Sequence, residues 1–118
     1  MSESRRQRKV NEEIKRAVSI IILHDYGDTP VGHVVITAVR VSPDIKNAKI
    51  YFRTLTEDGK AYVSKKLREE RKNIRHKLAS HIKHMRFIPE LFFAYDDGID
   101  KINRIDELLR QEKKSGEF

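Results

Sequence analysis

Residues 33–55, HVVITAVRVS, PDIKN and AKIYFRTL in succession, constrain this chain's fold more than any other stretch. Two runs rich in β-branched and aromatic residues flank a short connection of Pro, Asp and Asn, which is the pattern of a β-hairpin. In the second run Ala48, Ile50 and Phe52 alternate with Lys49, Tyr51 and Arg53. A strand with that period turns one face to a core and leaves the other wet and basic.

The flanking segments supply helices. Over roughly 5–24, apolar residues fall at Val10, Ile14, Ala17 or Val18, and Ile21, with Asn11, Glu12 and Lys15 on the other side. This is helical spacing with one core face. DYGDTPVG then breaks the helix. From about Glu57 to Met85 the helical pattern returns through Leu67, Ile74, Leu78, Ile82 and Met85, but Glu70 and Arg71 stand where the stripe needs an apolar side chain. A bend between two helices would explain that gap, as would one helix with an exposed middle turn. Pro89 excludes Ile88 from helical geometry. ELFFAYD then reads as a third strand, with Leu91, Phe93 and Tyr95 on one face, Phe92 and Ala94 on the other, and both faces buried or nearly so. A polar helix is expected from about Asp100 to Lys114, with a frayed end. The order is α-β-β-α(α)-β plus a C-terminal helix, an α+β two-layer domain. At 118 residues it is one domain, large enough to bury about two-thirds of its unfolded surface.

Charge limits the function. Of the net +7, residues 60–86 hold ten Lys or Arg against two acids, so the rest of the chain sums to −1. Arg5, Arg6, Arg8, Lys9, Lys15 and Arg16 form a smaller focus. Such polarity is the footprint of a polyanion binder. Cysteine is absent, which excludes disulfides and thiolate metal sites and agrees with a reducing compartment. The longest early apolar run, Ile20 to Leu23, is too short to span a bilayer or serve as a signal core, so a soluble cytoplasmic protein is expected.

The histidines at 76, 81 and 84 raise two further chemistries. His81 and His84 would share a helix face with His76 off that line, and no acid lies between residues 71 and 89. That is a poor ligand set, and no metal or other cofactor is expected. General-base catalysis needs an orienting carboxylate where the sequence supplies Lys and Arg, so no catalytic residue is expected. Asp96 and Asp97 point to opposite faces and suit a turn. Tyr51 with Lys49 and Arg53 could form a base-stacking sheet, although one aromatic is few for that platform. A basic first helix without Trp or Phe on its apolar side is a weak membrane binder.

What remains is a cationic helical surface, with Lys65, Arg68, Lys72, Arg75, His76 and Lys83 on one side opposite the apolar stripe. Together with Arg71, Arg86 and the N-terminal Arg5, Arg6, Arg8 and Lys9, these are the candidate phosphate-binding residues, which the resemblance given next makes candidate RNA-binding residues. Arg would bind phosphates through paired hydrogen bonds, Lys as a point charge.

Three stretches carry a resemblance: RRQRKVNEEIKRAVSIIIL, VVITAVRVSPDIKNAKIYF, and Ile74-Arg75 followed by MRFIPELFFAYDD. Together they resemble the ribosome-binding factor A (RbfA) family, small bacterial ribosome-assembly proteins with a type II KH-like fold. The resemblance implies a KH-like RNA-binding domain over 1–98, ordered α-β-β-α(kinked)α-β, with residues 99–118 as C-terminal helix and tail. It also implies a non-catalytic factor that binds the small (30S) subunit and 16S rRNA during late maturation and is monomeric when free. A general nucleic-acid-binding KH-like module, for DNA or RNA, is the alternative. KH domains grip backbone at a glycine loop. The family replaces that loop by a kink, often with an Ala-x-Gly element, where this chain reads EERKN over 69–73. Contact through side-chain cations is therefore expected.

Overall fold

The computed structural model describes residues 3–55 and 59–98. The helix expected over 100–114, and with it the 99–118 segment, lies outside the described residues. Helix α1 spans Arg5–Tyr26, a 3-10 turn Pro30–His33, strands β1 Val35–Val41 and β2 Asn47–Arg53, helix α2 Lys60–His81 and strand β3 Glu90–Tyr95. Strand β2 is central, antiparallel to β1 and parallel to β3. Both helices lie on one face of the sheet, α1 over β1 and α2 over β3, and touch each other. The fold is α+β in two layers, as the periodicities require.

Each element starts or stops for a local reason. Ser4 opens α1 through a capping box, its hydroxyl accepting from the Gln7 amide while the Gln7 side chain accepts from the Ser4 amide. The Gln7 amide group donates onward to the Val41 carbonyl, tying the helix start to the end of β1. Gly32 closes the following turn at a backbone crossing where a Cβ would meet the Tyr26 carbonyl oxygen.

In β1 a bulge at Thr37 shifts the alternation, so Ile36, Val39 and Val41 all pair with the core-facing Phe52, Ile50 and Ala48. Strict alternation would have turned Ile36 outward. The bulged Thr37 hydroxyl donates to Asp96, a carboxylate only 2% exposed that also accepts from the Gly98 amide. Asp96 is thus a turn residue, as expected, and also a cross-sheet tie.

The outer face of the sheet departs from expectation in two places. Tyr51 is 6% exposed rather than wet, aligned with Ala38 and Ala94, with Lys49 Nζ 5.2 Å from its ring centre. Strand β3 is not closed on both faces: Phe92 is 39% exposed and Ala94 half-buried, because both helices cover the opposite side.

The second helical region corrects the kinked pair. Helix α2 runs without a break from Lys60 to His81, and Glu70 and Arg71 occupy a half-buried middle turn. Glu70 has its own partners there, which removes the need for a break: it accepts from the Tyr26 hydroxyl and the Asn73 amide. The helix also stops four residues before Met85. Ile82 leaves helical geometry while its amide still donates to Leu78, and its side chain stays in the core. His84 is therefore not on a helix, and the shared face expected for His81 and His84 does not form. The core itself follows the predicted stripes: Val10, Ile14, Val18 and Ile21 from α1, and Leu67, Ile74 and Leu78 from α2, against Ile50, Phe52 and Leu91.

Candidate nucleic-acid interface

Two adjoining grooves gather most of the candidate cations. The smaller, about 370 Å³, runs along α2 and is lined by Arg71, Lys72, Arg75, His76 and Ala79, with Ile88, Glu90 and Leu91 opposite. The larger, about 1100 Å³, lies between the start of α1, the hairpin turn and the 82–88 loop. Arg6, Lys9, Lys46, Arg75 and Arg86 supply its positive charge, and Glu13, Asp44 and Glu90 its negative. Arg75, Ile88 and Glu90 line both, so the two form one continuous surface.

The hairpin turn is built to hold its place. The Ser42 hydroxyl donates to Asp44 Oδ1 at 2.6 Å, while the Lys46 amide donates to Asp44 and the Asn47 amide to Ser42 Oγ. The Ser42 hydroxyl, followed by the Lys46 amide, holds the Asp44 carboxyl below its ordinary range. Ile45 sits at φ 58°, a left-handed conformation that costs a β-branched residue on the order of 1–3 kcal/mol. Burial of its side chain and the turn's hydrogen bonds offset that cost, and Lys46 is left exposed beside the groove.

The 82–88 loop is anchored at both ends. Ile82 and Pro89 are buried, and Arg75 donates through Nε and Nη2 to the Ile88 carbonyl at 3.1 and 2.8 Å. Midway, His84 Nε2 lies 2.7 Å from Glu13 Oε2 on α1. So one histidine does face a carboxylate, which the sequence hides because the partner is 71 positions away. Glu13 Oε1 is buried without a hydrogen-bond partner among the described residues. No group of three or more His, Cys, Asp or Glu able to hold a metal occurs among the described residues. No described helix is long and apolar enough to cross a membrane.

The predicted residues divide by place. Arg6, Lys9, Arg71, Lys72, Arg75, His76 and Arg86 line the grooves. Arg5, Arg8, Lys65, Arg68 and Lys83 are exposed but line neither groove, and Arg8 spends one N–H on the Glu3 carbonyl. Arg71 stacks its guanidinium 5.1 Å from the Phe92 ring centre. Lys83 and Arg86 fall beyond the helix end and so do not extend the α2 stripe. Lys46, which no helical pattern could have flagged, joins the site through the hairpin turn.

Comparison with known proteins agrees with this architecture. Residues 6–109 match the family described as ribosome-binding factor A. Ribosome-binding factor A of Geobacter metallireducens is 36% identical over 108 residues, covering 91% of each chain. The crystal structure of the Thermus thermophilus ribosome-binding factor A superposes with a TM-score of 0.66 at 22% identity, over 75% of this chain and 94% of that one. A homology model of the Thermus thermophilus factor, fitted into a cryo-EM map of a 30S–RbfA complex, gives 0.59 at 25% identity over 71% and 88%. The match over residues 6–109, joined to the α+β fold with its basic grooves, makes this chain a member of the ribosome-binding factor A family.

Proposed function

We propose that this protein is a non-catalytic, cytoplasmic ribosome-assembly factor that binds the small subunit through 16S rRNA during late maturation, acting as a monomer. The observation that carries this reading is the convergence of Arg6 and Lys9 from α1, Lys46 from the hairpin turn, Arg71, Lys72 and Arg75 from α2, and Arg86 from the loop on one surface. Cations from separate elements, fixed by a packed scaffold, match a folded polyanion better than a flexible basic tail would. The order α-β-β-α-β fits a KH-like domain, but no glycine loop is available, so side chains carry the contact. The placement of a Thermus relative in a 30S–RbfA complex supports the choice of partner.

Co-sedimentation with free small subunits and with complete ribosomes tests the proposal. Binding to free subunits in preference to complete ribosomes is expected, with a log-log salt slope of about −4 to −5 if about six phosphates are neutralised. A slope near zero, or equal pelleting with both particles, would refute it. Release by duplex DNA as readily as by 16S rRNA would point to a general nucleic-acid module.

A further inference from the structure

Phe87 is 77% exposed, more than any other large hydrophobic side chain among the described residues. It lines the larger groove, between Arg86 and the buried end of the loop. A bulky ring left in water on a loose loop would mean little. This loop is pinned by Ile82, by the paired Arg75 hydrogen bonds to Ile88 and by the His84–Glu13 contact, so the ring is presented from an anchored backbone.

The groove's polar groups are also wrong for phosphate alone. The exposed Glu90 carboxylate repels phosphate, yet it can accept a hydrogen bond from a base amino group or a ribose hydroxyl. An aromatic face, cations and an exposed acceptor in one groove make up a nucleoside-binding set. Tyr51, the stacking candidate on the sheet, is buried and cannot serve.

Resting on the RNA-binding reading above, we propose that Phe87 stacks on an unpaired base, so that the groove takes single-stranded rather than fully paired RNA. Phe offers no hydrogen bond, so the stack tolerates any base. Arg6, Lys9, Lys46 and Arg86 hold the flanking phosphates, which makes RNA, rather than an apolar protein segment, the occupant.

The test compares an unstructured RNA decamer containing 2-aminopurine with an RNA duplex of equal phosphate number, across one matched series of salt concentrations. Parent, Phe87→Ala and Phe87→Tyr are measured side by side. Phe87→Ala should weaken decamer binding about 5- to 100-fold, abolish quenching of 2-aminopurine and leave the salt slope and duplex affinity within about twofold. Phe87→Tyr should keep most of the affinity and the quenching. Equal losses on decamer and duplex, or no loss on either, would overturn the stacking role while leaving the phosphate grooves standing. Salt-independent or undetectable binding of both RNAs by the parent would instead overturn the RNA-binding reading beneath it. Self-association of the parent that disappears in Phe87→Ala, with decamer binding unchanged, would assign the ring to a second copy of the chain and refute the inference.

Discussion

Asn11 shows how a polar side chain can belong to the core. The helical pattern places it beside Glu12 on the solvent side, yet it is 7% exposed and its Oδ1 accepts from the Val41 amide at 2.9 Å, while its Nδ2 donates to Glu3. Val41 ends an edge strand, so its outward N–H has no ladder partner and Asn11 supplies one. Asn11→Leu should therefore destabilise the fold by about 1–3 kcal/mol in urea unfolding, since a buried amide would lose its acceptor. An unchanged midpoint would show that water reaches Val41. Arg75 and Lys72, neighbours on the same groove, should separate in the same experiment. Lys72 makes no hydrogen bond or ion pair among the described residues, whereas Arg75 holds the loop at Ile88. Lys72→Ala should reduce RNA affinity with the unfolding midpoint unmoved; Arg75→Ala should lower both, the stability by about 1 kcal/mol. Equal stability of the two variants would mean that the Ile88 contact contributes nothing.

Helices α1 and α2 are joined by a polar contact as well as by packing. The Tyr26 hydroxyl donates to Glu70 at 2.5 Å, and Lys77 reaches Asp25 at 2.7 Å. Burial, reinforced by the adjacent Glu70 carboxylate, pushes the Tyr26 hydroxyl up to about 12, while that hydroxyl and the Asn73 amide hold Glu70 below its usual value. The signs follow directly. The Glu70 contribution is present above its ordinary 4.5 and lost as pH falls through the depressed value. The Tyr26 contribution is present below its ordinary 10.0 and lost as pH rises toward about 12. Tyr26→Phe should therefore cost about 1 kcal/mol across the range between those values and progressively less outside it. Urea midpoints for parent and variant along a pH series check this; a difference that stays constant from acid to alkali would show that the cost does not come from this ionisable pair. The same contact explains why Glu70 does not break α2. A carboxylate read only along its own helix is a gap in the apolar stripe, but across the helix pair it has a tyrosine to bind.

Across the molecule, the decisive property is which cations share a surface. Lys9, Lys46 and Lys72 line the grooves, whereas Lys65 and Arg68 on the same helix as Lys72 do not. Replacing Lys9 and Lys46 together by Ala should weaken small-subunit rRNA binding several-fold more than replacing Lys65 and Arg68, although each pair removes two charges. Equal losses in a filter-binding titration would mean that net charge alone governs affinity and that the grooves are incidental. Legible along the chain were the α+β order, the central hairpin, the core stripes of both helices and the concentration of charge on 60–86. Periodicity and composition are local properties, and burial simply follows them. The rest came only from the packed fold. It paired Glu13 with His84, brought Lys46 and Lys9 to one groove, buried Tyr51 and Asn11, kept α2 whole and left an exposed Phe87 on the lining of that basic groove. Each of these depends on distance between residues far apart in the chain, which no window along the sequence contains.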